Sequence, residues 1–210
     1  MLPPFRHGSL LESPLTLSKL PSVSNWDGKI AYLDRDGVLN KWSDNYVNTP
    51  AEVHLLPGSG KAVGDLRREG YRTCVVTNQS PVGRGMWSHS RLEKIHDRLQ
   101  KLLLLEDKDA TLDLILYSPY APWENSWSRK PNPGMLEASR QLIENASDDS
   151  KNGNPLLFGN DWGDRPSEGQ SVLVGDQDSD IHAANSFGVR ALKCSTNGGI
   201  NEVIGKIISN

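Results

Sequence analysis

From Lys29 onward, short apolar runs alternate with amphipathic stretches along the chain. Lys29 to Leu33, Tyr71 to Thr77, Leu112 to Tyr117, Ser171 to Val174 and Val189 to Leu192 are short, mostly apolar and bounded by turn-forming residues, the pattern of buried strands. Between them, Ser88 to Leu105 places Leu92, Ile95, Leu99, Leu102 and Leu103 on one side of a helical period, with Ser88 or Ser90 as its cap. Pro57-Gly58 opens a helix that ends at Gly70, Pro133 opens one running to about Ala146, and Asp178 one running to Phe187. Strands alternating with helices predict an α/β protein: a three-layer, Rossmann-like parallel sheet covered on both faces. Ligands of such sheets bind beyond the carboxyl ends of the strands.

Two stretches fall outside this alternation. Residues 1–26 are rich in Pro, Ser and Leu without periodicity and read as a loosely attached N-terminal extension, ahead of a domain over 27–210. Residues 147–170 are polar and Gly-rich, and read as a flexible insertion or, through Phe158 and Trp162, as a cover over the strand ends. The segment from Leu39 to the first helix and the loop at 118–130 are both too short for a large cap, so an open site with a minimal cap is expected.

Composition narrows the classes. The 210 residues suit one domain, and the mean hydropathy of -0.52 is that of a soluble chain. No apolar run approaches the roughly 20 residues that cross a bilayer. Pro3, Pro4, Glu12 and Pro14 interrupt any signal-peptide core, so a cytoplasmic monomer without membrane partners is expected. With 23 basic against 26 acidic residues and no basic stripe, nucleic acid is not an expected partner. Cys74 and Cys194 sit in apolar surroundings and read as inert core thiols.

The chemistry gathers at the strand ends. The first strand runs into Asp34-Arg35-Asp36-Gly37-Val38-Leu39-Asn40, whose two carboxylates can divide one reaction between a nucleophile and a proton donor. The alternative is a solvated Asp-Gly turn; a calcium loop is excluded by Val38 and Leu39. The second strand ends in Thr77-Asn78-Gln79-Ser80, where free N–H groups can hold phosphate oxygens, or where Asn78 merely makes a turn. Arg84 between two glycines is either a ligand for a second anionic group or a solvated loop residue. Arg129-Lys130-Pro131 precedes the Pro133 helix: Lys130 can neutralise both a carboxylate and a phosphate, or the pair can be a surface basic patch. After the fourth strand, Asp176, Asp178 and Asp180 offer Mg²⁺ an oxygen-rich pocket or cap the following helix. Gly58-Ser59-Gly60-Lys61 fails as a phosphate loop because Ala62 replaces the hydroxyl residue.

An acidic pair, a Thr-Asn end, a lysine and an acidic cluster, in that order after four successive strands, resemble the haloacid dehalogenase superfamily over Lys29 to about Leu192. Within it, DRDGVLN at 34–40, YVNTPAE at 46–52, LLPG at 55–58, TNQSPVGRG at 77–85, RKPNPGM at 129–135 and VGDQDSD at 174–180 are similar to the D-glycero-D-manno-heptose 1,7-bisphosphate phosphatases and the related histidinol phosphatases. The resemblance implies a Mg²⁺-dependent phosphomonoester hydrolase of carbohydrate metabolism, acting on a small sugar phosphate through an aspartyl-phosphate intermediate. By position it makes Asp34 the nucleophile and Asp36 the general acid/base, and sets Thr77, Asn78 and Lys130 around the transferring phosphate. It places Arg129 on another part of the substrate, and Mg²⁺ between Asp34, the Asp36 carbonyl and Asp176.

Departures from the pattern keep alternatives open. Where relatives carry the thiolates and imidazole of a zinc loop, this chain has Ser118, Tyr120, Ser126 and Ser128, so no zinc is expected, and Trp123 and Trp127 are expected to hold the loop by packing. Pro81 stands where a glycine is usual and removes a backbone donor. Histidinol phosphate, other small phosphomonoesters and a 3′-phosphorylated polynucleotide are therefore weighed beside heptose bisphosphate. A non-catalytic, phosphatase-like binding protein is the reading from another class.

Overall fold

Four strands buried on both faces organise the molecule. In the computed structural model, which describes residues 1–148 and 153–208, six strands form one sheet in the order β1-β4-β3-β2-β5-β6. They are β1 (Phe5–Arg6), β2 (Ile30–Leu33), β3 (Arg72–Asn78), β4 (Leu114–Ser118), β5 (Val172–Gly175) and β6 (Arg190–Lys193). All neighbours are parallel except β1, which runs antiparallel to β4 with Phe5 opposite Tyr117. The period of two decides which residue serves which face. Ala31, Leu33, Val75 and Ile115 enter one core, while Ile30, Tyr32, Cys74, Val76, Leu114 and Leu116 enter the other.

Helices α1 (Ser59–Arg68) and α3 (His89–Glu106) cover the first face, joined by the short α6 (Gly199–Val203) and α7 (Gly205–Ile208). Helices α4 (Gly134–Ser147) and α5 (Asp178–Phe187) cover the second. Ser88 caps α3 by accepting from the Arg91 N–H at 3.2 Å. Pro81 lies in the first turn of the short α2 (Ser80–Gly83), where a missing N–H costs no intrahelical bond. No helix among the described residues is long and apolar enough to cross a membrane.

Residues 1–26 are not loosely attached. Beyond the β1 pairing, Arg67 donates to Ser18 Oγ (2.9 Å) and the Lys19 carbonyl (3.1 Å), and Arg72 to the Ser18 carbonyl (2.6 Å). A two-residue strand among prolines leaves no period to read; the open edge of β4 creates it. The insertion also differs from expectation. Residues 149–152 lie outside the described residues, but Leu156, Phe158 and Trp162 pack on the α4–α5 side of the sheet, with Trp162 stacked on Phe187 at 6.1 Å. It therefore covers that core and not the strand ends.

A buried ion pair fastens this segment. Glu168 receives two bonds of 2.5 Å from Arg140 and one of 3.3 Å from the Tyr32 hydroxyl, and both charged side chains are 2% exposed. Removing one member strands the other charge, so Glu168→Ala is expected to cost about 3–5 kcal/mol in denaturant unfolding. A change below about 1 kcal/mol, the range of an exposed pair, would show that the pair does not hold the segment.

Candidate active site

The carboxyl ends of β2, β3 and β5 converge on a cavity of about 230 Å³ whose wall includes Asp34, Asp36, Thr77, Asn78, Lys130 and Asp176. Arg129, Gln79, Trp42 and Tyr46 complete much of the rest. The strand register explains the convergence: Leu33 pairs with Val75 on one side and Val174 on the other, so the residues that follow emerge at one level.

Asp34 is held by its own turn. Its Oδ1 accepts from the Arg35 N–H at 2.7 Å and lies 3.0 Å from Lys130 Nζ. Burial, only partly offset by Lys130 and worsened by Asp180 and Asp36, pushes its carboxyl up to about 7. Lys130, 3% exposed, donates to the Val76 carbonyl at 2.8 Å and makes ion pairs with Asp34 at 3.0 Å and with Asp180 Oδ1 at 2.5 Å. Although burial opposes its charge, the two carboxylates raise its pKa overall, so it stays an ammonium.

Asp36 is clamped from three directions. Arg35, 1% exposed, donates from Nε (3.1 Å) and Nη2 (2.6 Å), Asn40 Nδ2 from 2.8 Å and Gln79 Nε2 from 3.2 Å. Gln79 also donates to Thr77 Oγ1 at 3.0 Å, tying the β2 and β3 ends together. Arg35, Asn40 and Gln79 were not singled out from the sequence. The signal was their place within or beside the two motifs; the turn that folds Asn40 back on Asp36 is local, closed by the Asn40 N–H on the Arg35 carbonyl (3.1 Å) and the Gly37 N–H on the Asn40 carbonyl (2.8 Å).

Asp34, Asp176 and Asp180 are the one group of three or more potential metal ligands that converges among the described residues. Asp176 Oδ1 is buried with no hydrogen-bond partner, an orphaned acceptor of the kind a hard cation satisfies. Two glycines make room for the trio. A Cβ on Gly37, whose φ is +77°, would lie 2.6 Å from Asp176 Oδ2, and one on Gly175 would lie 2.2 Å from Asp180 Cβ. Desolvation raises the Asp176 pKa above the ordinary carboxylate value. Of the three candidate acids, Asp178 instead faces solvent and pairs with Lys193 at 2.6 Å. Asp180 does two jobs, accepting the Gln177 N–H at 3.0 Å as a helix cap and meeting Lys130.

Three sequence-derived positions land differently from expectation. Asn78 spends its side chain on the Lys130 backbone, donating to its carbonyl (3.0 Å) and accepting its N–H (3.1 Å), which fixes Lys130. Arg84 is absent from the cavity wall and donates to the Tyr46 hydroxyl at 3.2 Å. Trp127 packs as expected, its Nε1 bonded to Glu137 at 2.7 Å, but Trp123 is 74% exposed at the loop tip. In the same loop the Ser126 and Ser128 hydroxyls bond to each other at 2.9 Å.

Comparison with known proteins follows the same lines. The HAD-hydrolase-like family model matches residues 127–200. A D-glycero-beta-D-manno-heptose-1,7-bisphosphate 7-phosphatase of Pseudomonas putida is 41% identical over 110 residues, 52% of this chain and 62% of the relative. The chain thus spans about three fifths of that relative's length. A D-glycero-D-manno-heptose-1,7-bisphosphate 7-phosphatase of Thermosynechococcus vestitus is 31% identical over 177 residues, covering 79% of this chain and 78% of the relative. Among solved structures, a D,D-heptose 1,7-bisphosphate phosphatase from B. bronchiseptica, complexed with magnesium and phosphate, shares the fold with a TM-score of 0.63 at 24% identity over 85% of this chain and 99% of that one. A putative HAD-like phosphatase from Mesorhizobium loti aligns with a TM-score of 0.64 at 25% identity, covering 93% of this chain and 92% of that one. With its strand-end carboxylates, its buried lysine and these relatives, the chain belongs to the D-glycero-D-manno-heptose-1,7-bisphosphate 7-phosphatase family of the haloacid dehalogenase superfamily.

Proposed function

We propose that this chain is a Mg²⁺-dependent phosphomonoester hydrolase that removes one phosphate from a heptose 1,7-bisphosphate through an aspartyl phosphate on Asp34. The observation that carries this reading is the setting of Asp34: a buried carboxylate with one oxygen fixed by Arg35 N–H and Lys130, and a second acid two residues on. Among the described residues nothing bonds its other oxygen, which is the atom free to attack phosphorus.

In the proposed reaction Asp34 Oδ2 forms a bond to phosphorus as the bond to the sugar oxygen breaks. Asp36 protonates that departing oxygen, then takes a proton from the water that attacks the aspartyl phosphate and regenerates Asp34. Arg35, Asn40 and Gln79 hold the Asp36 carboxylate at the edge of the cavity throughout. Lys130 supplies fixed positive charge beside Asp34, and Thr77 and Asn78 border the phosphate from the end of β3. Asp34, Asp176 and the Asp36 carbonyl would hold Mg²⁺, which when bound offsets charge on the transferring phosphoryl oxygens. The all-oxygen donor set and the orphaned Asp176 Oδ1 fit that ion. Arg129 is the cation available to a second phosphate, which is why a bisphosphate is favoured over histidinol phosphate or a simple hexose phosphate.

Phosphate release with Mg²⁺ from both heptose 1,7-bisphosphate anomers, histidinol phosphate, hexose phosphates and a 3′-phosphorylated oligonucleotide tests the assignment. The expected result is preference for a heptose anomer, and loss of that preference in Arg129→Ala. Faster release from histidinol phosphate would overturn the substrate, and no release from any arm would favour a non-catalytic binding role.

A further inference from the structure

The first residues of the chain lie against the loop that carries Arg129. Pro4 is buried, and the Phe5 ring stacks on His89 (4.5 Å between centroids) and Tyr117 (5.8 Å) as its backbone pairs with β4. That anchorage fixes the two residues just upstream. The Leu2 carbonyl accepts from Ser126 Oγ at 3.2 Å, and the Pro3 carbonyl from the Tyr120 hydroxyl at 3.0 Å.

These two donors flank the exposed loop tip at Pro122–Glu124. Both also hold Arg129, whose carbonyl in addition accepts from the Asn132 N–H at 2.9 Å. The Arg129 Nη1 donates to the Tyr120 carbonyl at 2.9 Å, and its N–H to the Ser126 carbonyl at 3.2 Å. Consecutive carbonyls, of Leu2 and Pro3, thus hold two residues that grip half-buried Arg129 in the cavity wall, Tyr120 at its guanidinium and Ser126 at its backbone.

We propose that the N-terminal segment is a positioning element of the candidate active site, whose Leu2 and Pro3 carbonyls hold Tyr120 and Ser126 and so aim Arg129 at the part of the substrate that does not react. This rests on the reading of the cavity as a bisphosphatase site. A hydroxyl-to-carbonyl bond is modest alone, but a guanidinium that must be ordered on binding loses affinity for its anion, whereas one already ordered does not. The effect therefore belongs in KM for a bisphosphate and not in the rate of phosphoryl transfer.

The test uses the full chain with two changes that break the same tether: deletion of Leu2–Pro4, and Tyr120→Phe, which removes a hydroxyl bonded to the Pro3 carbonyl. Each is made with and without Arg129→Ala, and assayed on heptose 1,7-bisphosphate and on p-nitrophenyl phosphate, which has no second anion. The expected result is a rise of about ten-fold in KM for the bisphosphate at nearly constant kcat. Turnover of p-nitrophenyl phosphate should change less than about two-fold, and neither tether change should add to Arg129→Ala. Without substrate, amide hydrogen exchange should quicken across 119–130 while β3 and α4 stay protected.

Equal losses on both substrates, additivity with Arg129→Ala, or unchanged exchange in the loop would overturn the proposal. A wild-type chain that hydrolyses p-nitrophenyl phosphate but not the bisphosphate would overturn the substrate reading instead, and the exchange result then decides the tether by itself.

Discussion

Asp34→Asn is expected to lower turnover by about 10⁴-fold or more while making the protein more stable. The loss follows from chemistry: an amide oxygen is a poor nucleophile toward phosphorus. The gain follows from burial. Asp34 shares its pocket with Asp36, Asp176 and Asp180, and desolvation with like-charge repulsion has pushed its pKa up to about 7, against 3.8 for the free side chain. The folded state therefore binds this proton more tightly than the unfolded chain does. In metal-free buffer its contribution is fully present below about pH 4 and is lost as pH rises through about 7. The variant should flatten that fall and gain about 1–2 kcal/mol above neutrality, read by thermal denaturation across the range. A variant less stable than wild type at pH 8 would contradict the electrostatic account while leaving the nucleophile assignment to the activity assay.

Lys130→Met is expected to damage both properties at once. The ammonium bridges Asp34 at 3.0 Å and Asp180 at 2.5 Å with 2% of its side chain exposed, so its removal leaves two buried carboxylates without their cation. Breaking such a group costs about 3–5 kcal/mol, and loss of a fixed charge beside the transferring phosphate costs about 10²–10³-fold in kcat. Lys130→Arg keeps the charge but cannot make the short three-way contact with Asp34, Asp180 and the Val76 carbonyl, and should fall between the two. Normal folding stability in Lys130→Met would show that this triad is not what holds the strand ends together.

Much of this site could be read from the chain because it sits where an alternation of buried strands and amphipathic helices ends. Asp34, Thr77 and Asp176 each follow a run of apolar residues, so the sheet places them. What could not be read depends on contacts between distant residues. Asp178 and Asp180 both occupy the first turn of α5, and only the rotation between them turns Asp180 toward Lys130 and Asp178 toward Lys193. Asn78 reads as a phosphate ligand, yet its amide is spent on the backbone of a residue 52 positions away. β1 has two residues and no pattern; the open edge of β4 defines it.

Passage of phosphate through Asp34 can be caught by acid quench of the enzyme during turnover of a heptose 1,7-bisphosphate radiolabelled in the departing phosphate. Label is expected on the peptide containing Asp34, lost on treatment with hydroxylamine and absent in Asp34→Asn. Steady release of labelled phosphate with no label on that peptide at any quench time would contradict it, and would mean that water attacks the substrate directly.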